Sequence, residues 1–183
     1  MTATVVRTPL TDLVTRIRAV VARGLSDGET ARHVAEYLRP ALRQRGLLAP
    51  YQREGSEDGY TQHVLHVEPD GSFSVVALVW LPGQATAVHD HVSWCTVGVY
   101  EGQETETLYR LAGRKGRRRL VVSGHAVNRR GEVTGIATPG DIHHVANSGT
   151  AKAISLHVYG ADIGRLGSSI RRVYDLDHPD PAA

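Results

Sequence analysis

Residues 89–95, HDHVSWC, place two histidines and the only cysteine of the chain within seven positions. If the stretch is extended, residues i and i+2 share a face, so His89 and His91 can aim their imidazoles into one cavity. Two neutral ring nitrogens converging at about 2.0–2.2 Å make half of a divalent-metal site, and a working site needs further donors. A His-x-His pair alone is more often two ordinary core or surface histidines, so the chemistry waits on a partner from elsewhere in the chain. Cys95 reads first as a small buried hydrophobe.

The elements around this stretch change character along the chain. In TPLTDLVTRIRAVVARG, Leu10, Leu13, Val14, Ile17, Val20 and Val21 recur at three- and four-residue spacing; Thr8-Pro9 suits the helix start and Gly24 its end. A second amphipathic pattern opens at Ser26 or Asp27, carries Ala31, Val34, Ala35, Leu38 and Leu42, and must bend or stop near Pro40. After Gly55, short β-rich runs alternate with Gly, Pro, Asn and Asp, the pattern of a sandwich or barrel. Strands are expected at Tyr60–Val67, Phe73–Trp80, Ala85–His89, Trp94–Glu101, Glu104–Leu111, Leu120–Ser123, Asn128–Thr138 and Lys152–Tyr159. EPDGS, 68–72, is a hairpin connection with Gly71 at positive φ. SVVALVW is apolar on both faces and should be a central strand covered on each side, with the N-terminal helices as one cover.

The 183 residues, 41% hydrophobic and 22% charged, suit one ordinary globular domain. The expected division is a helical cover over 1–50, a β-barrel core over 56–162 and a C-terminal segment over 163–183, with an irregular tail from Asp175. One cysteine excludes an internal disulfide, the N-terminus lacks a secretory h-region, and no apolar run reaches the roughly 18 residues of a membrane span. A cytoplasmic protein without membrane partners is expected. The net charge is +2, and the basic run RKGRRR, Arg114 to Arg119, lacks the interleaved aromatics that stack bases, so it reads as a solvated hairpin tip with no nucleic-acid partner.

The wider spacing is more informative. Gly83, five residues, His89, one residue, His91, three residues, Cys95, six residues and Gly102 resemble the first cupin motif, with cysteine where that family usually has glutamate. GIATPGDIHHVAN resembles the second through Gly135, Pro139, Gly140, His143 and Asn147, although Pro139 directly precedes Gly140. The resemblance implies a mainly β fold, a jelly-roll-like double-stranded β-helix barrel with the helices packed outside. Gly-x-x-His and His-x-x-x-Asn both select His143 as the third metal ligand. Its neighbour His144 then faces the other side of the strand. His33, His63, His66, His125, His157 and His178 do not fit the ligand pattern. Without the glutamate, three neutral imidazoles leave a divalent ion its full charge and favour an anionic ligand from the substrate; spacing alone does not name the ion.

The cysteine in motif one, GDIHHVAN and SLHVYG together resemble the cysteine dioxygenase family of thiol dioxygenases, over about Tyr60 to Gly160. That resemblance implies Fe(2+) on His89, His91 and His143, a small thiol and O2 as partners, and a sulfinate product carrying both oxygen atoms. Ser155, His157 and Tyr159 match the family's Ser-x-His-x-Tyr triplet, and alternation puts all three on one strand face. Tyr159 would exchange a proton or hydrogen bond with the reactants. Cys95 stands where some members join cysteine to the tyrosine by a thioether.

Substrate choice turns on YTQHVL, 60–65. Mammalian-type cysteine dioxygenases have arginine where this chain has Gln62, and a neutral amide lacks the charge assistance of a bidentate guanidinium. Glutamine there resembles the 3-mercaptopropionate dioxygenase branch, in which a C-terminal arginine serves the carboxylate. Arg165, Arg171 and Arg172 are the candidates here. The substrates rank as 3-mercaptopropionate, then cysteine, then a bulkier thiol such as a thiol-imidazole. Two other classes compete: a non-catalytic metal-binding cupin sensor, and a metal-assisted hydrolase or isomerase that would not need the Ser155, His157, Tyr159 face. The expected assembly is a monomer or weak homo-oligomer.

Overall fold

The computed structural model describes residues 7–114 and 118–176. His178 and the centre of the basic run at 114–119, together with the end of the tail, lie outside the described residues.

Helix α1 (Pro9–Val21) starts where the sequence places it: Thr8 is the N-cap, its hydroxyl accepting from Thr11 N at 3.2 Å, and Pro9 occupies the first turn. Helix α2 (Asp27–Ala41) follows Ser26 and carries Pro40 in its last turn. Their apolar stripes, Leu13, Val14, Ile17 and Val20 on α1 and Ala31, Val34 and Leu38 on α2, are buried. A short 3-10 turn, Pro50–Arg53, leads into the sheets.

The strands are β1 (Thr61–Val67), β2 (Ser74–Trp80), β3 (His89–His91), β4 (Cys95–Glu101), β5 (Gln103–Ala112), β6 (Arg119–Arg129), β7 (Val133–Ile136), β8 (His143–Ala146), β9 (Ala153–Tyr159) and β10 (Ile170–Val173), with a one-turn helix α3 (Ile163–Leu166) before the last. They form two five-stranded sheets, β1-β2-β9-β4-β7 and β10-β3-β8-β5-β6, with antiparallel pairing throughout. This is the expected mainly β, double-stranded barrel with helices on its outside.

Alternation along the two central strands decides what faces the helices and what faces the barrel. Val75, Ala77 and Val79 of β2 and Ile154, Leu156 and Val158 of β9 pack with the helices in one core. The intervening Val76, Leu78 and Trp80, with Cys95 and Tyr159, form a second core on the inner face. Both strands are buried along their whole length, as SVVALVW requires. Gly98 of β4 lets α2 approach: a Cβ there would stand 2.8 Å from Leu42 Cδ1. At the β1–β2 turn Gly71 takes φ +73° as anticipated.

Several boundaries differ from the sequence reading. The strand expected at Ala85–His89 is β3, His89–His91; Ala85 makes only an isolated bridge to Ala146, because ladder pairing with β10 and β8 begins at His89. The short strand at Leu120–Ser123 runs on to Arg129, since β5 pairs with it from Ala112↔Arg119 to Gln103↔Arg129 through a bulge at Leu108/Tyr109. The run Asn128–Thr138 is broken by a turn at Gly131, φ +86°, leaving β7 as a separate strand. The four-residue β10 was not expected, and β8, presupposed in choosing His143 over His144, was given no bounds; both are too short to show a period.

Candidate metal and thiol site

β3 and β8 are antiparallel neighbours with His89 directly opposite His143, and His91 lies two residues along β3 on the same face. The three imidazoles therefore meet: one ligand atom from each lies within 4.8 Å of the others. His89 Nε2 and His143 Nε2 are 3.2 Å apart. All three rings are buried. His144 points away from this cluster and is half-buried.

The other ring nitrogens are each engaged by an acceptor. His89 Nδ1 reaches Ala87 O at 2.9 Å, His91 Nδ1 reaches Asp141 Oδ2 at 2.9 Å, and His143 Nδ1 reaches Glu106 Oε1 at 2.6 Å. Burial works against both carboxylates, but the bonds from His91 and His143 hold them below their ordinary range, so they are ionised and only accept. Each ring consequently carries a proton on Nδ1, and in the neutral ring Nε2 keeps its lone pair. Burial first, and His143 second, push His89 down to about 4, which keeps that ring neutral. Lone pairs facing one another at 3.2 Å repel unless a cation lies between them. That spacing suits two ligands each about 2.1 Å from one ion, so the donor set fits a divalent metal.

Asp90, between the two ligands of β3, faces the opposite way. Burial would raise its carboxyl, yet Arg171, Tyr174 and Arg172 hold it down to about 2. Arg171 Nη2 is 2.5 Å and Tyr174 Oη 2.8 Å from Asp90 Oδ2. This corrects the expectation for the C-terminal arginines: Arg171 and Arg172 anchor β10 to β3 through Asp90, and Arg165 is exposed on α3. None of the three lines the cavity at the histidines.

That cavity encloses ≈ 400 Å³ including its open mouth. Besides the histidines, its lining includes Tyr60, Gln62, Leu78, Tyr159, Ser169 and Ile170. Gln62, exposed on β1, is among the residues lining the cavity, its Nε2 donating to Gly167 O at 3.2 Å. Ser155, His157 and Tyr159 form one connected line: Ser155 Oγ is 2.9 Å from His157 Nε2, and His157 Nδ1 is 2.9 Å from Tyr159 Oη. Burial, with His91, His143 and His89 nearby, pushes His157 down to about 3; burial, with Cys95, pushes the Tyr159 phenol well up. Both are neutral. Cys95 lies beside this line, its Sγ 4.0 Å from His157 Nδ1, and burial raises its thiol well above the ordinary range.

Sequence reasoning missed Glu106 and Asp141, which orient two of the rings, and Trp80, whose Nε1 donates to Ser155 Oγ at 3.2 Å. It also missed Glu104, buried on the inner face of β5. The available signal was ETET at 104–107: acids two apart on a strand share a face, and acids that face a barrel interior need partners.

A double-stranded β-barrel that gathers three imidazoles on its inner wall defines a cupin with a three-histidine centre. The chain belongs to the cysteine dioxygenase type I family, whose model matches residues 1–166. It is 32% identical over 102 residues to cysteine dioxygenase type 1 of Danio rerio and 30% identical over the same length to that of Homo sapiens. Each alignment covers 55% of this chain and 50% of the relative, so the match spans half the length of those proteins. Among solved structures, a protein with a double-stranded beta-helix domain from Klebsiella pneumoniae is 20% identical, with a TM-score of 0.46 over 65% of this chain and 92% of that one. No helix among the described residues is long and apolar enough to cross a membrane.

Proposed function

We propose that this protein, one cupin domain over residues 1–183, is an iron-dependent thiol dioxygenase that converts a small thiol and O2 into a sulfinate. The observation that carries the reading is the meeting, in one cavity, of three inward Nε2 atoms with the Tyr159 end of a buried hydrogen-bonded line. A hydrolase or a passive sensor has no use for that line.

His89, His91 and His143 would hold Fe(2+), with Ala87 O, Asp141 and Glu106 fixing the rings. The ion, when bound, supplies a centre at which a thiolate and O2 are held together and sulfur is oxidised. Three neutral ligands leave its charge uncompensated, so the site favours the thiolate over the thiol. Tyr159 faces the reacting sulfur and exchanges the thiol proton, positioned by His157 and Ser155. Leu78, Val145 and Ile170 exclude water, which strengthens every polar contact inside. Gln62, Ser168 and Ser169 orient the rest of the substrate.

The ranking of substrates follows from this lining. Gln62 and the serine hydroxyls offer a carboxylate uncharged donors, whereas among the described residues the lining offers no carboxylate to an ammonium group. This supports 3-mercaptopropionate over cysteine, and the confined cavity puts a thiol-imidazole third. The test is oxygen uptake by Fe(2+)-loaded protein on addition of each thiol, with the product weighed by mass spectrometry. We expect about one O2 per sulfinate; oxygen consumption that yields disulfide, or none with any thiol, overturns the reading.

A further inference from the structure

The line Ser155–His157–Tyr159 does not end at Ser155. Glu104 of β5 is 1% exposed, yet its Oε1 has no hydrogen-bond partner among the described residues. Among the described residues its carboxyl makes no hydrogen bond at all, but the Ser155 hydroxyl and the Trp80 indole N–H lie near enough to favour its charged form. Glu104 also lines a second cavity, ≈ 380 Å³ including its open mouth, with Glu106, Asn128 and Glu132; this cavity shares His143, Val145 and His157 with the substrate cavity as a common wall. A buried acid thus stands between this second cavity and the inner end of the line.

Counting protons gives the line two states. Ser155 Oγ has one proton and, besides the Trp80 donor, one neighbour on each side, Glu104 and His157. Neutral His157 has one N–H for its two partners. If Glu104 is a carboxylate, Ser155 donates to it, His157 Nε2–H donates to Ser155 Oγ, and Tyr159 O–H donates to His157 Nδ1, leaving phenol lone pairs toward the substrate. If Glu104 is a carboxylic acid it donates to Ser155; Ser155 then donates to His157 Nε2, His157 Nδ1–H donates to Tyr159, and the phenol proton points into the cavity.

We propose that Glu104 is the proton-holding end of a four-residue relay, Glu104–Ser155–His157–Tyr159, whose protonation state decides whether Tyr159 presents an acceptor or a donor to the substrate. Applied to the reaction, which rests on the thiol reading above, the step balances. The S–H bond breaks as its proton goes to Tyr159 Oη; the phenol proton moves to His157 Nδ1, the Nε2 proton to Ser155 Oγ, and the serine proton to Glu104. One carboxylate charge becomes one thiolate charge, and no electrons change hands. The groups facing Glu104 support this role. From β5 itself comes Glu106, ionised by its bond to His143; from β9 comes neutral His157; Glu132 lines the shared space, and Asn128 of β6 and Trp80 of β2 do not titrate. Burial, then Glu106, leaves the Glu104 acid with a pKa of about 7, within reach of a thiol near 8.5.

Glu104 acts through Ser155 and is therefore a positioning residue, and its test is the tautomer of His157. In protein loaded with zinc(II), a diamagnetic ion, nitrogen-15 NMR of the His157 ring should show the proton moving from Nδ1 to Nε2 as pH rises through neutrality. Glu104→Gln takes up no proton and should make the tautomer independent of pH, whereas Glu104→Asp restores the dependence. With iron, kcat/KM of the wild type should fall about tenfold per pH unit on the acid side, and Glu104→Gln should lose that limb. A His157 tautomer invariant with pH in the wild type, or equally pH-dependent in Glu104→Gln, overturns the relay. If Glu104→Gln does not fold, Ser155→Ala keeps the acid and removes the bridge; a His157 tautomer that still follows pH in that variant overturns the relay as well. Thiol oxidation with an invariant His157 removes the relay alone, and a switching His157 in protein that oxidises no thiol removes the dioxygenase reading alone.

Discussion

Cys95 and Tyr159 are directly opposed residues on the antiparallel neighbours β4 and β9, with the sulfur and the phenol converging on the same atom, His157 Nδ1, at 4.0 and 2.9 Å. Opposed side chains on one face of such a pair have Cβ atoms about 4.5–5.5 Å apart, which puts Sγ beside the ring. Joining the two would replace an S–H and a ring C–H bond by one S–C bond, a two-electron oxidation whatever the protonation of the thiol. In protein incubated with Fe(2+) and O2, we expect a thioether: Sγ and a ring carbon each lose a hydrogen, and the two electrons pass to O2. Intact mass should fall by two hydrogens, and Cys95 of the denatured protein should resist alkylation. Tyr159→Phe should leave the thiol free. Complete alkylation of wild-type protein after that incubation would sink this expectation.

Asp141 is the acceptor for both the backbone N and the ring Nδ1 of His91, each at 2.9 Å. Asp141→Asn keeps the shape but removes the ionised acceptor that fixes the ring tautomer, and Glu106→Gln does the same at His143. Each should weaken metal binding by about 10- to 100-fold, measured by chelator competition. Asp90→Asn, which acts on the opposite side of β3, should affect the docking of β10 more than the metal.

Much of this site was legible in the sequence, and the reason is geometric. A strand's two-residue period is local, so HDH and SLHVY could each be assigned a face from the chain alone, and both assignments hold in the barrel. The third ligand needed motif spacing, because choosing His143 over His144 depends on a register that only the fold sets. What escaped was pairing across the sheets. Nothing near Arg171 or Arg172 announces that Asp90, more than eighty positions earlier, will take both guanidinium groups. Buried acids such as Glu104 and Glu106 also look like solvated strand residues until their neighbours are known.

Gln62 stands at the cavity with a backbone carbonyl, Gly167 O, as its hydrogen-bond partner among the described residues. Gln62→Arg adds a fork of donors and a charge. A charge-assisted hydrogen bond contributes roughly 1.5–3 kcal/mol against about 0.5–1.5 for a neutral one, a gain of about 1–1.5 kcal/mol or about 5- to 10-fold. The ratio of kcat/KM for cysteine and 3-mercaptopropionate over a thiol lacking a carboxylate should rise accordingly. An unchanged ratio in a folded variant would remove Gln62 from substrate selection.

Among the described residues, the Arg18–Glu68 ion pair ties the helical cover to the barrel and has a defined pH signature. Arg18 of α1 grips Glu68, just past β1, with Nε at 2.6 Å from Oε1 and Nη2 at 3.0 Å from Oε2, while His66 Nε2 lies 2.9 Å from Oε2. The Arg18 bond, and then His66 against the opposing effect of burial, lowers the Glu68 pKa below its ordinary value of 4.5. A carboxyl whose pKa is lower in the folded state than in the unfolded one adds stability above the unfolded value, and that contribution is lost as pH falls through the folded value. The Arg18 side chain is half exposed, so solvent screening keeps the contribution of the pair small. Glu68→Gln should therefore lower the denaturant midpoint at pH 7, and the gap from wild type should close below pH 4.5 as the native carboxylate takes up its proton. High salt should narrow the gap at pH 7 as well. A difference that persists unchanged into acid would mean that Glu68 acts by packing rather than by charge.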